Sequence, residues 1–490
     1  MQNAMADIHY PNASSNPESQ ALYDKGMLNF YAYLYVQAEY DFRQALLYDE
    51  NCAICHFGIA LSKMHQALEL GLPFAEVGYA DIHKAEALNK TKDGFYFDII
   101  QAAKKAFSLD ETQSPNQLKK NYIQALKQVY EKYKKDNTWS VESLALYVNA
   151  ITISSEDAAD NEKPKHFCAR KLNGSLKEEA VALMKPILSN PSIPKHPGLM
   201  HIYIHLQERD ITDPLGMLMA KTLPAYSQGV ISHYTHMPNH IYWRRGLYDK
   251  AIKANLDAIA IDDQYFKKQG VGLNSYYYEY HYLHSHHFLT MLGVLTNDFD
   301  LSLQYAQAVK GLMNPSHLES LKDYRDTFYT LEHLVLLRFN KWQDVLDLSI
   351  PPQTGELGHL WIDFAKALSY LQLGDNASFQ PLFENIKNKH FASADTRDVQ
   401  TLALTYLQAS QMNLQKKSVA DIESLFLKNG VDAIEKKLFV MNPPSWIFPY
   451  QLFLSDAAFD RGDLKMAKIH HDLYKKIYPN STLGKFKDKS

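Results

Sequence analysis

The sequence predicts an all-α protein, an α-solenoid in which helical hairpins stack on one another, and three observations carry that prediction. Apolar residues recur at i, i+3, i+4 and i+7 in almost every segment, the spacing that places them on one helix face. The run ALYDKGMLNFYAYLYVQAEYDFRQALLYD, from Ala21 to Asp49, is typical. No stretch sustains the apolar–polar alternation of a half-buried strand. Glycine and proline fall mainly between the periodic segments, as at Gly71–Pro73, Pro191–Pro197, Asn314–Pro315, Pro351–Gly355 and Pro443–Pro444. This punctuation divides the chain into roughly twenty helices with short connections, which suits antiparallel neighbours.

Composition narrows the function classes. A hydrophobic share of 46% and a charged share of 22% are ordinary for a globular protein. The formal net charge of −4 argues against nucleic-acid binding, which needs clustered positive charge. No apolar run reaches the ~18 residues of a membrane span. The opening MQNAMADIHYPNASS lacks a basic region followed by an apolar core, so the expected location is the cytoplasm. A processed exported form would look the same.

Along the chain, residues 1–19 read as an extended N-terminal segment and 20–490 as one continuous solenoid. Residues 21–50 carry Gly26, Tyr35, Ala38, Phe42 and Ala45 in the register of a tetratricopeptide repeat, whose period is ~34 residues. Tyr242, Gly246, Tyr248, Ala251 and Ala258 repeat that register, and Gly462, Leu464, Ala467 and Pro479 repeat it near the end. Small residues at these positions let paired helices approach, and each hairpin buries its face on the next. Three cysteines cannot build a disulfide framework. Cys52 and Cys55 form a lone CxxC, read as packed helix residues rather than a zinc knuckle or redox pair. The lysines of 118–135 read as a solvated helix face. Residues 156–174, EDAADNEKPKHFCARKLNG, are polar and lack periodicity, so they read as a loop or insertion. His470 and His471, in the last hairpin, read as surface.

Three histidine clusters are the sharpest functional signal. HPGLMHIYIH holds His196, His201 and His205; HYTHMPNHIYWRRG holds His233, His236 and His240; HYLHSHH holds His281, His284, His286 and His287. Residues three or four apart share a helix face, so His201 pairs with His205 and His284 with His287. Pro238 suits the first turn of a helix, which puts His236 at its start and His240 just inside. Neutral imidazole binds transition metals and also serves as a general base. The candidate metal ligands are therefore His201, His205, His236, His240, His284 and His287, with His65, His196 and Arg244 as further candidates. The competing reading makes these histidines core groups in a Tyr–His hydrogen-bond network, and for His281 and His286 it is preferred. His65 and Glu69 stand four apart, and a His–carboxylate pair can bind metal or orient a base. Arg244 can clamp an anion through two N–H groups, whereas Arg245 reads as half of a surface salt bridge.

These same stretches carry a resemblance. HYPNASSNPESQALYDKGM, NCAICHFGIALSKMH, HPGLMHIYIH, HMPNHIYWRRGLYDKAIKAN, HSHHFL and LLRFNKWQDVLDLSIPP resemble segments of a group of bacterial tetratricopeptide-repeat proteins of similar length. The group shares His-Pro-Gly-x-x-His-x-x-x-His and His-Met-Pro-x-His motifs. The resemblance spans the chain and places His65, His196, His201, His205, His236, His240, Arg244, His284 and His287 on recurrent positions. Phe57, Ile59, Asn239 and Arg245 depart from the group's usual Trp, Glu, Ser and aliphatic residues. What the resemblance implies is a helical-repeat fold with a recurrent histidine set, and no particular reaction.

The chain has no HExxH, GxSxG, GxxxxGK[ST] or GxGxxG. Two functions follow from the residues. One is a scaffold whose concave groove takes a peptide, a protein partner or a small molecule, with a transition metal on the histidines. The other is a metal-dependent enzyme, hydrolytic or redox, using the same cluster. With no thiolate in the set, zinc, iron and copper all fit.

Overall fold

A computed structural model describes residues 8–110, 112–153, 175–269, 277–313, 322–439 and 442–487. Among the described residues every regular element is a helix, as the periodicity predicts, and none is long and apolar enough to cross a membrane. The loop expected at 156–174 lies outside them.

The chain divides into two compact units, Met1–Ile241 with Ala260–Gly270, and Tyr242–Ile259 with Val271–Ser490. In chain order the helices begin with α1 Pro17–Tyr31, α2 Tyr35–Tyr48, α3 Ala53–Glu69, α4 Tyr79–Leu88, α5 Gly94–Ala103, α6 Pro115–Tyr133, α7 Ser140–Thr152, α8 Ser175–Ser189 and α9 Pro197–Gln207. Next come α10 Pro214–Thr222, α11 Ser232–His236, α12 Pro238–Arg244 and α13 Tyr248–Gln269. A π-helical turn, Tyr277–Tyr282, leads into α14 Leu283–Thr296. Then follow α15 Phe299–Leu312, α16 Lys322–Arg338, α17 Trp342–Asp347, α18 Glu356–Leu373, α19 Asn376–Asn388 and α20 Ala394–Leu414. The last four are α21 Val419–Lys428, α22 Val431–Leu438, α23 Tyr450–Asp460 and α24 Leu464–Ile477.

Helix starts follow local chemistry. Asn16, Ser114, Asp213, Asp298, Asp375, Ser393, Ser418 and Asp463 each accept a backbone N–H at the first turn of the helix they open. In the first unit α1 packs on α2, α2 on α3, and α9 returns to pack on α1. The small residues matter as expected. A Cβ on Gly26 would sit 2.4 Å from the Phe42 ring, and one on Gly58 2.7 Å from the same ring. Phe42 is fully buried between them, so α1, α2 and α3 close around one aromatic ring. In the second unit α14 packs on α15, α15 on α16, α16 on α18, and α23 on α24.

Two expectations change. Cys52 and Cys55 are buried as packed residues, but they are also joined by a disulfide. Cys52 caps α3 and Cys55 lies three residues on, which brings their Cα atoms to 5.3 Å, within bonding reach. His470 and His471 are not surface residues: both are buried, His470 with Nδ1 2.7 Å from Gln451 Oε1 and His471 against the Phe486 ring. Ala467, His470, His471 and Tyr474 follow the i, i+3, i+4, i+7 pattern, so both histidines fall on the inward face of α24.

Candidate metal centre

The HPG sequence sets the position of α9. His196 caps the helix, its Nδ1 accepting the Leu199 N–H at 3.2 Å, and Pro197 occupies the first helical position without losing a needed donor. Gly198 has no Cβ because the Tyr31 ring occupies that space; an added Cβ would lie 2.6 Å from it. This close approach of α9 to the end of α1 brings His201 to a helix C-terminus, where carbonyls lack intrahelical partners. The Tyr31 carbonyl stands 2.7 Å from His201 Nδ1. α11 is tied to the same helix, since Tyr234 Oη donates to Leu28 O at 3.2 Å.

His201 is fully buried. Burial pushes its pKa down to about 3, against the hydrogen bond to Tyr31, and the nearby His240 lowers it further. The ring is therefore neutral near pH 7. With Nδ1–H donated to Tyr31 O, its Nε2 carries the lone pair. Two other imidazoles face that one lone pair: His205 Nε2 at 3.1 Å and His233 Nε2 at 3.0 Å. Only one N–H can lie along a single lone pair, whereas a cation among three Nε2 atoms satisfies all of them. Nitrogens bound at ~2.0–2.1 Å to one ion stand ~2.9–3.4 Å apart for angles between square and tetrahedral. Both separations fall in that range.

A second set adjoins the first. His240 Nδ1 lies 2.8 Å from Glu208 Oε2, and His240 Nε2 lies 3.2 Å from His236 Nε2. Ligand atoms of His201, His205 and His233 lie within 4.8 Å of one another, and so do those of His205, Glu208 and His240. His205 belongs to both sets.

Tyr33 covers the cluster. Its ring centroid is 4.3 Å from that of His201, 6.0 Å from His205 and 6.1 Å from His233. Its backbone is left-handed, φ +62°, in the turn that ends α1. There Tyr33 N–H donates to Phe30 O and Leu34 N–H to Asn29 O, a closure that normally places glycine where Tyr33 stands.

Of the residues singled out in the sequence, His201, His205, His236 and His240 come together in the first unit. His65 is buried on α3, stacked on Tyr35 at 4.6 Å and edge-on to Phe30. His196 serves as the cap of α9, with Nε2 3.2 Å from Glu142 Oε1. His284, His287 and Arg244 belong to the second unit. His284 lies against Phe288 and His287 against Phe328, both buried. Burial pushes the His287 pKa down to about 3. Arg244 is held between the Trp243 and Phe439 rings and donates to Asn442 Oδ1 at 2.5 Å.

His233, Glu208 and Tyr33 were missed as site residues. Two of them had a signal. His201, His205 and Glu208 fall at i, i+4 and i+7, and His233, His236 and His240 at i, i+3 and i+7, so each trio forms one stripe. Tyr33 had none, because nothing local marks a tyrosine for a left-handed turn.

The chain matches no family model and no functionally curated protein, so the chemistry of the site rests on its geometry.

Proposed function

We propose that the protein is a helical-hairpin scaffold carrying a transition-metal centre on His201, His205 and His233. The observation that carries this reading is the convergence of three Nε2 atoms, with His201 held in its metal-binding tautomer by the Tyr31 carbonyl. An all-imidazole donor set suits zinc, iron or copper. The hairpin array itself is the surface offered to a peptide, protein partner or small molecule, as in other helical-repeat proteins.

A metal-dependent enzyme is the second reading, and the ligand count favours it. Structural zinc sites are usually closed by four protein ligands, whereas catalytic ones use three and keep a position for water or substrate. A bound ion there would acidify water or polarise a substrate oxygen.

The test is elemental analysis of protein purified without a His tag, together with His205→Ala. We expect metal near one equivalent or more in the parent, loss of it in the variant, and nearly unchanged helix content. Metal-free parent protein that reloads with none of zinc, iron or copper would sink the reading.

A further inference from the structure

We infer that the cluster holds two metal ions, a second one on His236 and His240 beside the first on His201, His205 and His233. This rests on the metal-binding reading above and extends it.

Two stripes of donors face each other within the first unit. α9 and its last cap present His201, His205 and Glu208 over two turns; α11 and α12 present His233, His236 and His240 over two turns. A helical turn rises ~5.4 Å, enough for one ion per turn rather than one for the whole stripe. The first set joins His201 and His205, one turn apart on α9, to His233. The second set repeats the same plan with other groups. His240 directs Nε2 at His236 Nε2, 3.2 Å away, and has a hydrogen-bond acceptor behind Nδ1, Glu208 Oε2 at 2.8 Å. His201 has the Tyr31 carbonyl in the same role at 2.7 Å. In both places an acceptor behind one ring turns its Nε2 toward another imidazole, the arrangement usual for metal-bound histidine.

The two acceptors differ in charge, and the difference points the same way. The carbonyl is neutral, while Glu208 brings a carboxylate to a place 5% exposed, and His240 beside it is fully buried. A carboxylate behind Nδ1 raises the basicity of the His240 ring as a metal ligand. His205 connects the two positions, its Nε2 3.1 Å from His201 Nε2 and its ring 5.3 Å from the His240 ring. Positions on the two ions not filled by imidazole suit an oxygen ligand such as a carboxyl or phosphoryl group. Paired ions use such positions to clamp both sides of an oxygen-rich substrate.

The test uses the full untagged chain, stripped by chelator and titrated with cobalt(II). Bound cobalt is counted after gel filtration, and visible absorption is followed at each equivalent. We expect two cobalt ions per chain. His236→Ala should leave one. Glu208→Gln, which preserves shape and an acceptor oxygen, should keep the first ion and weaken the second by roughly 10–100-fold, as loss of a supporting partner does. His201→Ala should instead remove the first. Circular dichroism on each variant separates metal loss from misfolding. A single cobalt in the parent, two cobalt ions still bound by His236→Ala, or an unweakened second equivalent in Glu208→Gln overturns the second ion and leaves the first standing. No cobalt at all overturns both.

Discussion

Both units bury histidines on helices at three- and four-residue spacing, but the rings are satisfied in different ways. In the second unit, α14 carries His286 and His287 among aromatic side chains. His286 Nδ1 bonds the Tyr282 carbonyl four residues back at 3.0 Å, with the Tyr282 and Tyr305 rings around it. His287 meets the edge of Phe328. In the first unit, α9 meets α11 and α12, and imidazole nitrogens from separate helices face each other at 3.0 Å. The lesson is that helical spacing aligns histidines, but a second helix must bring a lone pair opposite for them to become a site.

The turns differ in parallel. α16 ends as α1 does: Asn340 N–H donates to Leu337 O, Lys341 N–H to Leu336 O, and Asn340 has φ +60°. Asparagine tolerates that backbone and is common there. Tyr33 does so at a cost of ~1–2 kcal/mol for a left-handed residue with a large side chain. Strained residues cluster where surroundings over-determine them, and here the surroundings are three imidazole rings.

The strongest way to break the comparison is to delete one histidine from each unit. His201→Ala should lose the ion held with His205 and His233 on dialysis, whereas His286→Ala should keep full metal content; equal loss from both would erase the distinction. Elemental analysis reads the result.

A second test sets the pH response of the second unit apart. Burial pushes the Glu435 carboxyl up to about 8, although Trp446, Tyr450 and Tyr406 donate hydrogen bonds to it. The folded chain holds this proton up to about pH 8, and the unfolded chain loses it near ~4.3. Between those values the folded state binds more protons. Stability is therefore full at low pH, falls by about 1.4 kcal/mol per pH unit as pH rises, and levels off above the folded value. Urea unfolding from pH 5 to 8 should show this decline in the parent and a flatter line in Glu435→Gln. His201 works in the opposite sense. Its folded pKa near 3 lies below the unfolded value, so its contribution is lost as pH falls below ~6.5.

Smaller effects come from the turns. Tyr33→Gly relieves ~1–2 kcal/mol of backbone strain but forfeits burial of an aromatic side chain that is 4% exposed, worth ~3–5 kcal/mol. Burial wins, and a net loss of about 1–4 kcal/mol is expected by urea denaturation. A gain would mean the ring contributes nothing over the histidines. Asn340→Gly should move stability by less than about 0.5 kcal/mol, because asparagine already tolerates the turn. A larger loss would show that the two turns are strained alike.

Much was decided by the sequence alone. The all-helical class followed from one-sided apolar periodicity, and helix starts from Asn, Ser and Asp caps, because both are local properties of a few consecutive residues. The stripe on α9 was also legible: His201 and His205 are one turn apart whatever surrounds them. The inward face of α24 was equally written in its i, i+3, i+4, i+7 pattern, though a run of His470 and His471 disguised it as surface. Only tertiary structure decided the rest. That His233 faces His201, that Glu208 backs His240, and that Tyr33 lies over all three rings of the first set depend on contacts between residues 32 to 200 positions apart. No local pattern encodes such contacts. They are set by how closely two helices approach, and here that approach turns on one missing Cβ, at Gly198 against Tyr31.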